Sequence, residues 1–106
     1  MASVASAVGA AILFVLAGVH QGLSAEHEIP IKAMKFGAAP TGLKVGDVII
    51  WRNDDMFRHT ATARDGSFDV DLPPKSEKRM TVEKAGAIEY YCRFHTGMVA
   101  KLDVRQ

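Results

Sequence analysis

Tyr90-Tyr91-Cys92-Arg93-Phe94-His95-Thr96-Gly97-Met98 is the stretch of this 106-residue chain from which the rest is read. It sets a thiol, an imidazole and a thioether in the order Cys, two residues, His, two residues, Met. The residues before it alternate as a strand does: Ile88 and Tyr90 share a face with Cys92, and Glu89 lies on the other. That apolar company turns Cys92 inward, and Thr96-Gly97 marks a turn. Thiolate and thioether suit soft ions and imidazole suits copper or zinc, so the set points to a transition metal. Such a site needs one more imidazole from elsewhere, and His59 is the candidate.

Taken singly, each of these residues has an ordinary reading. Cys is often a small buried hydrophobe, and Met98 could fill the core as Met34, Met56 and Met80 could. His59 could be a satisfied strand residue, and His95 a surface one. What argues against accident is the joint spacing. The Cys count adds to it: an exported chain with one Cys forms no internal disulfide, so its thiol is free, intermolecular or metal-bound.

All 25 charged side chains, 13 basic and 12 acidic, lie from Glu26 onward. Residues 1–25 have a weakly apolar centre, Val8 to Val19, followed by Gly22, Leu23, Ser24 and Ala25. That pattern predicts a secretory signal peptide cleaved after Ala25, leaving residues 26–106 as one domain. An uncleaved anchor is the alternative, but it needs about 20 apolar residues to cross a bilayer. A formal net charge of +1, with no basic run, gives no reason to expect nucleic acid.

Within residues 26–106 the chain reads as short strands between turn residues. Ile29 and Ile31 begin a strand running toward Met34 and Phe36, and Gly37 to Gly42 is a loop. Val48 to Asn53 is β-branched and aromatic, with Ile49, Trp51 and Asn53 read as the inner face and Arg52 and Asp47 as the outer. An inward Asn53 needs a partner, which a thiolate or loop backbone would supply. His59 to Ala63, Ser67 to Val70, Arg79 to Val82, Ala87 to Cys92 and Val99 to Val104 follow, with Pro73-Pro74 as a break. Seven or eight such strands predict an all-β antiparallel sandwich or barrel.

With these residues in hand the chain resembles the cupredoxins, and among them most the amicyanins, with plastocyanin and pseudoazurin as relatives. The resemblance runs from about Glu28 to Val104. It is carried by Lys44-Val45-Gly46-Asp47 leading to Trp51 and Asn53, by His59 six residues after Asn53, and by Ala85-Gly86 leading to Tyr90-Tyr91-Cys92, His95 and Met98. It implies a Greek-key sandwich holding one type 1 copper ion, with His59, Cys92 and His95 as strong ligands and Met98 as the long axial one. Asn53 would link the ligand loops and donate to the Cys92 sulfur. The function implied is a periplasmic one-electron carrier, a monomer in transient complexes with redox proteins such as a dehydrogenase and a c-type cytochrome. A copper-delivery protein using the same ligands is the alternative. An enzyme is not expected, because protein groups fill all four copper positions.

The chain also departs from the family. Amicyanin has Pro just before each ligand His, where this chain has Arg58 and Phe94. Phe94 keeps an N–H that Pro lacks, free to bond the sulfur. Phe57, Phe94, Thr96 and Gly97 are expected to form the docking patch around His95, with Arg58 and Arg93 steering an acidic partner. His27 is expected to be solvated near a new N-terminus.

Overall fold

Apolar-polar alternation becomes nine strands, and no helix, among residues 23–106, which this computed structural model describes. The expected leader over residues 1–25 lies outside the described residues except for Leu23, Ser24 and Ala25. The strands are β1 (Glu26–Lys32), β2 (Lys35–Phe36), β3 (Leu43–Lys44), β4 (Val48–Asn53) and β5 (His59–Ala63). They continue as β6 (Asp69–Leu72), β7 (Glu77–Thr81), β8 (Gly86–Tyr91) and β9 (Val99–Arg105). One sheet has the order β2-β1-β4-β7 and the other β3-β9-β8-β5-β6.

The all-β sandwich forms as expected, but its sheets are mixed. β1 runs parallel to β4, from Glu26 opposite Val48 to Ile31 opposite Asn53, and β3 runs parallel to β9. Parallel neighbours cannot be joined by a hairpin, so the chain leaves the sheet between them. It does so here by passing through the other sheet, since β3 lies between β1 and β4 in sequence. Local alternation carries no sign of strand direction, which is why the sequence suggested antiparallel pairing throughout.

The pleat of β4 sets the core. Ile49, Trp51 and Asn53 face inward and are buried, while Val48, Ile50 and Arg52 are partly exposed. Ile29 and Ile31 lie beside them on β1, and Ala61, Leu72, Ile88, Tyr90 and Leu102 close the core from the other sheet. Trp51 and Tyr90 meet edge-on at 5.2 Å, with Phe36 against Tyr90 at 4.8 Å. Each large apolar side chain buried this way contributes about 1.5–3 kcal/mol. The packing fixes the ends of β4 and β8, from which Asn53 and Cys92 project.

Three local expectations are corrected. Asp47 is not on the outer face but 2% exposed. It has the parity of Ile49 and Trp51, so the alternation itself sends it inward, and it accepts N–H bonds from Ala25 and Lys44. His27 is not solvated, because its Nε2 lies 3.0 Å from the Asp47 carboxylate. The strand read from Ile29 to Phe36 is broken by a hairpin, with Ala33 and Met34 both at positive φ (53° and 62°). Left-handed backbone costs a residue with a Cβ about 1–2 kcal/mol. Here the Asp55 carboxylate holds it, accepting the N–H groups of Ala33 (2.8 Å) and Met34 (2.9 Å).

Candidate metal centre

Two segments that meet at one pole of the sandwich deliver the donor atoms. His59 opens β5 and is fully buried; Cys92 follows β8 and is 3% exposed; His95 lies in the turn beyond and is half-buried. Cys92 and His95 come from one loop and His59 from a segment more than thirty residues earlier. β5 and β8 pair antiparallel in the same sheet, which brings the two together.

The geometry of the trio is specific. His59 Nδ1 and His95 Nδ1 lie 3.2 Å apart, and Cys92 Sγ is 3.8 Å from the first and 3.4 Å from the second. A triangle with those sides has a central point about 2.0 Å from every corner, close to the bond lengths at which His nitrogen and Cys sulfur hold a transition ion. The donor set therefore fits a single trigonal metal ion, with two imidazoles and one thiol supplying its first three bonds.

Asp55 orients the buried imidazole. His59 Nε2 lies 2.8 Å from Asp55 Oδ2, which makes Nε2 the protonated nitrogen and leaves the Nδ1 lone pair facing the other donors. Burial works against the charge on Asp55. The N–H groups of Met34 and Ala33 and the His59 ring outweigh it, holding the carboxyl below the usual Asp range. One carboxylate thus fixes both a strained turn and a candidate ligand. Asp55 is absent from the residues singled out in the sequence. An acid four residues before a candidate ligand His was the available signal.

Asn53 does something different from what the resemblance implied. Its amide donates to the carbonyls of Phe57 (2.8 Å), Leu72 (3.0 Å) and Pro73 (3.1 Å), and its Oδ1 accepts the Asp55 N–H. It ties the loop before His59 to the end of β6 and does not reach the sulfur. Cys92 Sγ instead accepts the Thr60 N–H at 3.4 Å, the one backbone donor to it among the described residues. The Phe94 N–H expected there makes no such bond. Thr60 also accepts the Arg93 N–H on its hydroxyl, at 2.9 Å, so it links β5 to the Cys92 loop twice.

Backbone bonds close the loop itself. The Cys92 N–H donates to the Met98 carbonyl and the Met98 N–H to the His95 carbonyl, at 3.0 and 3.2 Å. Gly97 stands at φ +84°, a conformation that residues with a Cβ rarely adopt, and this lets the chain return within the span. Met98 is 5% exposed and belongs to the buried core.

Around His95 the surface is apolar. Phe57 and Phe94 are 59% and 48% exposed, and the Phe57 ring meets the His95 ring edge-on at 6.3 Å. Arg58 and Arg93, expected to steer an acidic partner, are each paired within the chain. Arg58 donates to both oxygens of Asp71, and Arg93 donates to Asp69. β6 pairs with β5 and brings the two acids alongside, so the cationic rim is charge-compensated.

No protein-family model matches the chain, and no curated protein matches it. Among solved structures it is similar to the reduced form of an amicyanin variant: 24% identity over 76% of this chain and 82% of that one, TM-score 0.63. It is similar to the oxidised form of a second variant, at 24% identity over 74% and 81%, TM-score 0.63. The Cu(I) form of a third matches at 24% identity over 77% and 84%, TM-score 0.62. The chain has the amicyanin fold, as the resemblance implied.

Proposed function

We propose that this chain is a periplasmic type 1 copper protein that passes one electron at a time between partner proteins. His59, Cys92 and His95 would hold the copper, with the Met98 thioether as a weaker fourth donor. The observation that carries the reading is the triangle of two imidazole nitrogens and one thiol around a point about 2.0 Å from each. Amicyanin's fold, with one of the similar structures a Cu(I) form, supports copper over zinc. Copper, when bound, supplies a one-electron couple that thiolate and imidazole together suit in both oxidation states.

The chain's own residues do the rest. Asp55 and Thr60 hold His59 and the Cys92 sulfur in place, so little has to move as charge changes. His95 is the donor nearest the surface, and Phe57, Phe94, Thr96 and Gly97 surround it with a patch of little charge. Electrons would pass through that edge between redox proteins such as a periplasmic dehydrogenase on one side and a c-type cytochrome on the other, through interfaces below about 1,200 Å². Because Arg58 and Arg93 are paired, docking is mainly apolar, and its rate falls only slightly as salt rises.

Adding Cu(II) to the purified chain tests the reading. An intense visible thiolate-to-copper band is expected, and Cys92→Ala abolishes it. A colourless complex would exclude type 1 copper. A band without fast electron self-exchange would favour delivery of copper over electron transfer.

A further inference from the structure

The two residues that stand where amicyanin has Pro touch each other. The Arg58 guanidinium lies 5.0 Å from the centroid of the Phe94 ring, and Arg93 lies 5.5 Å from the same ring. Both distances are within cation-π range, about 6 Å. Each arginine is also held from behind: Arg58 by Asp71 at 2.8 and 3.0 Å, Arg93 by Asp69 at 3.3 Å. The two acids lie on β6, opposite Thr60 and Thr62 of β5. A half-exposed ring is therefore gripped by two guanidinium groups, each anchored to one strand.

The position of the grip matters. Arg58 directly precedes His59, and Phe94 lies between Cys92 and His95. The contact bridges the two segments that carry the donors. Pro in both places would restrict each segment by fixing φ, whereas Arg and Phe leave both backbones freer. A contact between them restores the restriction from outside the backbone. An exposed ion pair alone would order little, but here a series runs from Asp71 through Arg58, Phe94 and Arg93 to Asp69.

We propose that Arg58 and Phe94 form a clasp that holds the 92–98 loop in its metal-binding geometry before the ion arrives. Ordering the loop in advance removes part of what binding would otherwise have to overcome. The clasp rests on reading His59, Cys92 and His95 as a metal site, but not on the metal being copper or on electron transfer. Both residues are positioning residues: neither offers a donor to the ion.

The test uses the full metal-free chain and Zn(II), measured by competition against a chromophoric chelator. Arg58→Gln and Phe94→Ala should each weaken Zn(II) binding about 3- to 10-fold. The double variant should be no worse than the worse single, because either change opens the same clasp. Phe94→Tyr, which keeps an aromatic face, should bind as the parent does. NMR order parameters for the amides of residues 93–97 should fall in both single variants without metal, and stay at the parent level in Phe94→Tyr. Multiplicative losses in the double variant would overturn the clasp, as would unchanged affinity or unchanged order parameters in the singles. If the parent itself fails to bind Zn(II), the metal-site reading suffers, and the order parameters still decide the clasp.

Discussion

The two ends of β4 carry nearly the same constellation and put it to different uses. Before the strand, Asp47 accepts the N–H groups of Ala25 and Lys44 and faces Nε2 of His27 at 3.0 Å. After it, Asp55 accepts the N–H groups of Ala33 and Met34 and faces Nε2 of His59 at 2.8 Å. Burial opposes the charge on both acids, and the same kinds of donor overcome it, so both stay below the usual Asp range. The difference lies in what the far side of each imidazole meets. Behind His59 are a thiol and a second imidazole. His27 is 19% exposed and has no such company among the described residues. A carboxylate–imidazole pair is thus a fastening by default, and becomes part of a metal site only where other donors converge.

The two ends of β4 should separate most clearly when each acid's charge is removed. Asp47→Asn and Asp55→Asn should each destabilise the metal-free protein by about 2–4 kcal/mol, since three donors lose a charged acceptor. Asp55→Asn should also weaken metal binding about 10- to 100-fold, the usual cost of losing the group that orients a ligand His. Asp47→Asn should leave metal affinity unchanged. Denaturant unfolding of the metal-free variants, beside metal titration, reads both effects. Equal losses of affinity in the two variants would mean that the ends of β4 are not separable.

Acid probes both ends together. A carboxyl whose folded pKa lies below its unfolded value contributes stability that is complete above the unfolded value. That stability is lost as pH falls through the folded one. The metal-free chain should therefore begin to lose stability near pH 4, about where unfolded Asp titrates, and continue to lose it below. Asp47→Asn should flatten that slope in denaturant midpoints measured against pH. An unchanged slope would mean that other carboxylates set the acid limit. A smaller effect is expected from His27→Gln, about 1 kcal/mol lost with metal affinity intact.

How much of this was legible in the sequence follows the same division. The face of each core strand could be read because alternation is local: Ile49, Trp51, Ile88 and Tyr90 are all where the pleat puts them. The joint spacing of Cys92, His95 and Met98 could be read because one short loop holds all three. The parallel pairing of β1 with β4 could not, since it depends on segments twenty residues apart. Nor could the turn at Ala33-Met34, which has no turn-forming residues and is held by a carboxylate twenty-one or more residues on. Thr60 was hidden for the same reason, because what it does depends on what folding brings beside it, while Asp55 left only its spacing four residues before His59 as a sign. The pairing of Arg58 and Arg93 with β6 was likewise hidden until the β5–β6 register placed Asp71 and Asp69.

The smallest effect should come from a buried polar group that lies between the two ends and has no fastening role. The Tyr90 hydroxyl has no hydrogen-bond partner among the described residues, and burial pushes the phenol well above its usual pKa. Its ring is held by Trp51, Phe36 and Phe68. Tyr90→Phe keeps those contacts and removes only the unpaired oxygen, so it should be neutral or stabilising by up to about 1 kcal/mol. Tyr90 is two residues from Cys92, but metal affinity should not change. Loss of stability would mean that the hydroxyl is bonded through a buried water, placing Tyr90 with Asp47 and Asp55 among the polar groups that hold the sandwich together.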